Sequence, residues 1–262
     1  MRILKRIILV FLVAAFLSLS FYFFYIRPRY VVPILMYHAI SFKENDTLHV
    51  RPENFSKQIE FLNKNGYLVI SLNELVQGIK TGHKFSRKTV VITFDDGFED
   101  NFLYAFPVLA KYDMSATIFL ITDYIDVRDG YLSGDQIRLM SRNNIDFGGH
   151  TRSNVYLPSV EDTDELWNEI SGCKEDVATI TDKEVEFFCY PIGGFNESVK
   201  NAVKKSGYKA ACTTNRGKDR LNRDLYELKR VKVTNSDGVK PFHFRAKISG
   251  YYNLFRSQKS GN

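Results

Sequence analysis

The sequence predicts an α/β protein, a (β/α) barrel whether complete or incomplete, preceded by one membrane-spanning helix. Three observations carry that expectation. Short apolar runs alternate with amphipathic stretches through most of the chain, the strand-like runs are β-branched with no polar face, and the first 29 residues form a separate apolar block with basic flanks. Strands buried on both faces read as continuous Val/Ile runs, and alternating them with helices builds a parallel sheet covered by helices. In such barrels the chemistry sits at the C-terminal ends of the strands.

The apolar block comes first. Residues 7–26 (IILVFLVAAFLSLSFYFFYI) carry no charge, with Arg2, Lys5 and Arg6 before them and Arg27 and Arg29 after. At about 1.5 Å per residue, such a run crosses a hydrocarbon core of about 30 Å. Phe21, Tyr22, Phe23, Phe24 and Tyr25 crowd its far end, where a helix meets the headgroups. A buried core helix fits poorly, because no face of the run is polar. A secretory signal has a shorter apolar region and a small-residue cleavage site, and no clean site follows this run. The segment therefore reads as an uncleaved anchor with a short cytoplasmic N-terminus, cleavage being the open alternative. The expected organisation is an anchor over residues 1–29, one globular domain over 30–255, with no composition break or repeat inside it, and a frayed tail over 256–262.

The anchor changes the meaning of the charge. The 262 residues have a formal charge of +6 and a pI near 9.0. Five of the 36 basic residues lie in the first 29 positions, which hold no acids, leaving 31 against 30 acids. The basicity belongs to the anchor, and the sequence gives no support for nucleic-acid binding. Cys173, Cys189 and Cys212 are odd in number and widely spaced. They read as three buried thiols rather than a metal knuckle or a disulfide framework.

Strands are expected at 32–37, 67–71, 89–94, 116–121, 146–148, 186–190, 210–213 and 228–233. Helices are expected at 52–65, 72–80, 100–112, 134–143, 163–181 and 196–206, with a last one at 242–255. Ser71 and Glu74 have the spacing of a capping box at the start of the second helix.

Three clusters can carry chemistry. Thr93-Phe94-Asp95-Asp96-Gly97 ends an apolar strand on two adjacent acids, and the glycine permits a tight turn. Side chains alternate along a strand, so the carboxylates diverge and can do different work, one holding a cation and the other serving as a base. A solvated Asp-Gly turn is the bland alternative. Phe147-Gly148-Gly149-His150-Thr151-Arg152-Ser153-Asn154 follows another short strand; one helical turn would put His150 and Asn154 on the same side. Phe188-Cys189-Tyr190-Pro191-Ile192-Gly193-Gly194 leads a strand into a turn able to aim a backbone N–H and a ring into a cleft.

In this order the clusters resemble the polysaccharide deacetylase family (NodB homology, carbohydrate esterase family four). Thr93–Gly97 looks like its first motif, His150 to Asn154 occupies the place of its His-[Ser/Thr]-x-x-His motif, and Tyr190-Pro191-x-Gly193 looks like its third. Pro33-Ile34-Leu35-Met36-Tyr37-His38 and Leu228-Lys229-Arg230-Val231 are similar to elements of the branch acting on poly-β-1,6-N-acetylglucosamine. The resemblance spans about residues 31–235. It implies a distorted or incomplete (β/α) barrel, a divalent metal that is usually zinc, and removal of N-acetyl groups from a polysaccharide outside the membrane, poly-N-acetylglucosamine or peptidoglycan. By this carry-over Asp95 is the general base, Asp96 and His150 are metal ligands, and Tyr190 lies in the motif whose backbone helps form the oxyanion pocket. His38 protonates the leaving amine, and Arg230 orients or charge-balances the catalytic carboxylate.

One departure is plain. Asn154 stands where the family usually has a second histidine, and an amide oxygen is a weaker donor to zinc than imidazole. Asp96, His150 and Asn154 then form either a working site of weaker or altered metal preference or a decayed one. Two further readings follow: a non-catalytic glycan-binding protein of the same fold, and an O-acetyl esterase, since an ester needs less help at its leaving group.

Overall fold

The computed structural model describes residues 2–43, 47–239 and 241–256. The strands are β1 (Ile34–Tyr37), β2 (Ala39–Ile40), β3 (His49–Val50), β4 (Leu68–Val69), β5 (Thr89–Phe94), β6 (Ala116–Leu120), β7 (Ile145–Gly149), β8 (Phe187–Cys189), β9 (Ala210–Thr213), β10 (Leu228–Lys229) and β11 (Val231–Lys232). Apart from the small β2–β3 pair they form one parallel sheet in the order β10-β9-β8-β7-β6-β5-β1-β11, with β4 added against the start of β5. β10 and β11 flank a single residue, Arg230. The first pairs with β9 (Leu228 opposite Cys212) and the second with β1 (Leu35 opposite Val231). One extended segment thus joins the two ends of the sheet, giving a nearly closed (β/α) barrel of eight strands.

Alternation along each strand divides the core into two layers. Val90, Ile92 and Phe94 of β5 pack outward with Phe55, Ile59, Leu62 and Leu109 of the helices, while Val91 joins Ile34, Phe119, Phe187, Ala210, Cys212 and Leu228 inside the barrel. All six residues of β5 are buried, as its β-branched sequence requires of a strand covered on both faces. The same parity carries Thr93 and then Asp95 to the inner face at the C-terminal end of the strand.

The covering helices are α2 (Pro52–Lys64), α3 (Leu72–Thr81), α4 (Phe106–Lys111), α5 (Gly134–Ser141), α6 (Thr163–Trp167), α7 (Cys173–Thr181) and α8 (Glu197–Lys205), numbered after an N-terminal helix α1 (Arg2–Phe21). The Ser71–Glu74 capping box forms at the head of α3. The helices expected at 100–112 and 163–181 each contain a π turn, at Asn101–Ala105 and Asn168–Gly172. Periodicity does not reveal these. Each extra residue sets a polar side chain, Asn101 or Glu169, against a loop at the C-terminal face of the barrel. The last expected helix is shorter than 242–255. It is replaced by α10 (Pro241–Lys247) and a separate 3₁₀ turn at Tyr252–Phe255, and a short helix that was not expected, α9 (Asn235–Val239), precedes them. Gly250 interrupts it with φ +80°, where a Cβ would lie 2.2 Å from the Tyr30 ring.

The apolar block is helical: α1 continues through Tyr22–Ile26 and Arg27–Arg29, and the most apolar 18 residues of this span reach a mean hydropathy of 2.6 with none of them buried. The helix is long and apolar enough to cross a membrane. The three cysteines are free and buried. Residues 257–262 of the expected tail lie outside the described residues.

Candidate active site

A cleft of about 450 Å³ opens at the C-terminal ends of the strands. His38 enters it directly after β1, Asp95 and Asp96 after β5, His150 and Asn154 after β7, and Arg230 from between β10 and β11. Residues spread over nearly 200 positions converge because parallel strands bring all their C-termini to one face.

The two acids part company as strand parity requires. Asp95 points into the barrel and is buried. Its two oxygens accept bonds of 2.6 Å each from Nη1 and Nη2 of Arg230. Arg230 is buried in turn. Its remaining donors reach the Thr213 carbonyl at 3.1 Å, Thr93 Oγ1 at 3.1 Å and Cys189 Sγ at 3.0 Å. Burial alone would raise the Asp95 pKa, but the Arg230 charge and its hydrogen bonds outweigh burial and hold the carboxyl well below the usual carboxylate range. Asp95 is ionised at any working pH.

Asp96 leaves the strand with φ +73° and Gly97 follows at +76°, so the chain reverses under the cleft. A Cβ on Gly97 would lie 2.7 Å from Leu120 Cδ2, which leaves that position to glycine on two counts. The turn brings Asp96 Oδ1 to 3.4 Å from His150 Nε2. On the other side of the imidazole, Nδ1 donates to the Cys189 carbonyl at 2.7 Å, which leaves Nε2 as the atom that faces Asp96. Burial disfavours a charge on His150. The adjoining Cys189 and the carboxylates of Asp96 and Asp95 favour it more strongly and raise its proton affinity.

His150 and Asn154 are not on a helical turn. Thr151 and Asn154 both take φ +64°, and the loop is pinned from behind by Glu169, whose carboxylate accepts from the Arg152 and Ser153 N–H groups (2.9 and 3.0 Å) and from Ser153 Oγ (2.6 Å). Both residues still border the cleft together. A Cβ on Gly149 would lie 2.4 Å from the Tyr208 hydroxyl, so the backbone before His150 approaches its neighbours more closely than a side chain allows.

His38 Nε2 lies 3.8 Å from Asp95 Oδ2. Burial lowers its pKa from the ordinary imidazole value, against the pull of Asp95 and Asp96, so it is neutral at pH 7. Its loop is braced by Asn101, whose side-chain amide donates to the His38 carbonyl at 2.8 Å. Tyr190 borders the cleft, but its ring packs outward on Phe195 and Phe188, its hydroxyl donates to the Tyr226 carbonyl and its N–H to the Cys212 carbonyl. The next amide in the turn, Ile192 N–H, has no acceptor among the described residues, and Ile192 is exposed at the rim with φ +58°.

A profile of the polysaccharide deacetylases matches residues 82–211. The chain is also 33% identical over 203 residues to the polysaccharide deacetylase-family protein YxkH of Bacillus subtilis (strain 168), covering 78% of this chain and 71% of that one. The chain belongs to the polysaccharide deacetylase family. The deacetylase is 27% identical over 209 residues to the poly-β-1,6-N-acetyl-D-glucosamine N-deacetylase of Staphylococcus epidermidis, covering 74% and 71% of the two chains. Among solved structures, the Streptococcus pyogenes deacetylase PplD in complex with acetate matches with a TM-score of 0.75 at 26% identity, over 81% of this chain and 97% of that one. The Bacillus cereus polysaccharide deacetylase BC0361 matches with a TM-score of 0.71 at 30% identity, over 83% and 68%.

Two donor sets in the deacetylase could hold a cation. Asp95, His150 and Cys189 offer ligand atoms within 4.8 Å of one another. That set fits poorly, because the Arg230 guanidinium already contacts both Asp95 and the Cys189 sulfur, and burial raises the thiol pKa. Asp96, His150 and Asn154 fit better: a carboxylate, an imidazole oriented through its far nitrogen, and an exposed amide, with the Arg230 guanidinium bonded to Asp95 rather than to Asp96. Sequence reasoning did not single out Cys189 or Glu169. Strand parity would have found the first, since Cys189 takes the inward position that Tyr190 does not. Nothing local marks the second.

Proposed function

We propose that the chain removes N-acetyl groups from an amino-sugar polysaccharide outside the membrane that α1 crosses, releasing acetate and a free amine. In this reading residues 1–29 are the anchor, 30–255 the catalytic domain and 256–262 a tail. The observation that carries the proposal is the division of the acid pair: Asp95 is locked to Arg230 beside His38, and Asp96 is turned toward His150. The relatives named as poly-β-1,6-N-acetyl-D-glucosamine N-deacetylases support a β-1,6-linked N-acetylglucosamine polymer as the substrate.

Asp96, His150 and Asn154 would hold a divalent cation, zinc first. When bound, it supplies Lewis acidity at the scissile carbonyl and makes water a better nucleophile. Arg230 holds Asp95 ionised and in one orientation, so its carboxylate accepts the proton that the attacking water loses. A carboxyl of such low pKa passes that proton on, and the neutral His38 imidazole 3.8 Å away accepts it. His38 then delivers it to the amide nitrogen as the C–N bond breaks. The Ile192 N–H is the donor available to the oxyanion.

The test is acetate release by the full chain in mild detergent, from oligomers of β-1,6-linked N-acetylglucosamine. Release that stops with a chelator and returns with zinc supports the proposal. Release from acetyl-xylan alone assigns an O-acetyl esterase, and glycan binding with no release from any substrate assigns the non-catalytic alternative.

A further inference from the structure

A second cleft, of about 760 Å³, opens at the opposite end of the barrel. The end of the anchor (Phe23, Arg27), the outer end of α3 (Ile79) and the segment leading into β5 (Lys84, Phe85, Arg87) form its walls. Its permanently charged side chains are all cations, Arg27, Lys84 and Arg87, and no carboxylate lines it. Arg27 rests over the Phe23 ring at 5.5 Å, and among the described residues neither it nor Lys84 meets an acid.

The position of the cleft is as informative as its charge. The exposed apolar helix over residues 3–29 ends at its mouth. Arg87 Nη1 donates to the Tyr22 hydroxyl and its guanidinium lies 5.6 Å from that ring, while the Tyr30 hydroxyl donates to the Ser86 carbonyl at 2.9 Å. The foot of the anchor is therefore fastened to the N-terminal face of the barrel. On the reading that α1 spans a bilayer, the aromatic and arginine residues at its end mark the headgroup level, where lipid phosphodiesters lie.

We infer that this cleft binds one anionic phospholipid of the leaflet from which the domain emerges. The phosphodiester and acidic headgroup sit among Arg27, Lys84 and Arg87, and an acyl chain lies along Phe23, Ile79 and Phe85. Charge complementarity selects the occupant: a zwitterionic lipid brings its own cation into a cleft that already holds three, whereas an anionic lipid neutralises it. The bound lipid seats the barrel on its N-terminal face. The catalytic cleft then lies roughly 20 Å farther out, the length of a six-residue strand. It opens away from the bilayer, toward polymer rather than toward lipid-linked precursor.

The inference rests on the anchor reading, and the experiment separates the two. The full chain is first floated with phosphatidylcholine vesicles. It is then extracted in mild detergent and titrated with phosphatidylglycerol or phosphatidylcholine of matched chains, the lipids retained being counted by native mass spectrometry. The expected result is flotation, with one phosphatidylglycerol retained per chain at least tenfold more tightly than phosphatidylcholine. Lys84→Ala weakens that retention about fivefold, the scale for one cation near an anionic headgroup. Arg27→Ala with Lys84→Ala abolishes the preference, Lys84→Arg keeps it, and the melting temperature is unchanged throughout. A chain that floats but retains both lipids equally, or whose preference survives the double substitution, overturns the lipid site and leaves the anchor. A chain that does not float overturns both.

Discussion

Arg230→Met is the substitution whose outcome follows most directly from the structure. The guanidinium is buried, makes two 2.6 Å bonds to Asp95 and three further contacts to Thr213, Thr93 and Cys189, and sits where β10 and β11 join the ends of the sheet. Methionine fills much of the volume but leaves a buried carboxylate with no countercharge. Breaking one side of a buried ion pair costs about 3–5 kcal/mol. For a domain of this size each kcal/mol moves the melting temperature by roughly 2–4 °C, so a fall on the order of 10 °C is expected. The partner experiment is Asp95→Asn, which strands Arg230 and has a similar cost. Combining the two removes both stranded charges, and the double variant loses at least about 2 kcal/mol less than the single effects added together. Unfolding followed by near-UV circular dichroism at pH 7 measures all three. A loss below about 1 kcal/mol for Arg230→Met, or strict additivity in the double variant, refutes the claim that this pair locks the Asp95 carboxylate.

Three other outcomes follow. The lowered pKa of His38 makes the neutral imidazole the resting form at pH 7, so kcat/KM rises with pH through a value below 6.5 and is flat toward neutrality; His38→Gln removes that limb along with most of the activity, and an unchanged profile contradicts the relay. Asn154→His replaces an amide with an imidazole beside Asp96 and His150, and tightens zinc about 10-fold or more in a competition titration against a chromogenic chelator. Glu169→Gln takes an acceptor from the N–H groups of Arg152 and Ser153 and the Ser153 hydroxyl, so the loop between His150 and Asn154 loosens and, on the proposed metal site, zinc affinity falls by about 10–100-fold in the same titration; unchanged affinity means the bonds serve the helix alone.

Much of this was legible in the residues. A β-branched strand ending on two acids and a glycine places the acids at the barrel mouth, and alternation says they diverge; in the fold Asp95 turns to Arg230 and Asp96 to His150. Local spacing failed at His150 and Asn154. A four-residue interval suggests a helical turn, but Glu169 supplies a carboxylate that holds the Arg152 and Ser153 N–H groups in a loop whose ends, Thr151 and Asn154, are left-handed. That acceptor is one helix away in sequence and has no signature of its own. At the end of β8 alternation turns Cys189 inward and the Tyr190 ring outward onto Phe188 and Phe195, so what the turn can offer the cleft is backbone rather than the ring. Arg230 was named by resemblance alone, because the segment in which it sits contacts Asp95 across 135 positions of sequence, through barrel closure.

The central claim is that adjacent carboxylates hold separate offices, Asp96 for the cation and Asp95 for the proton. Zinc content per folded chain, measured by elemental analysis after dialysis against trace zinc, tests it directly. The account predicts one zinc in the native chain and in Asp95→Asn, and none in Asp96→Asn or His150→Ala. Zinc that stays in Asp96→Asn and leaves with Asp95→Asn contradicts it, and moves the metal to the Asp95, His150 and Cys189 set.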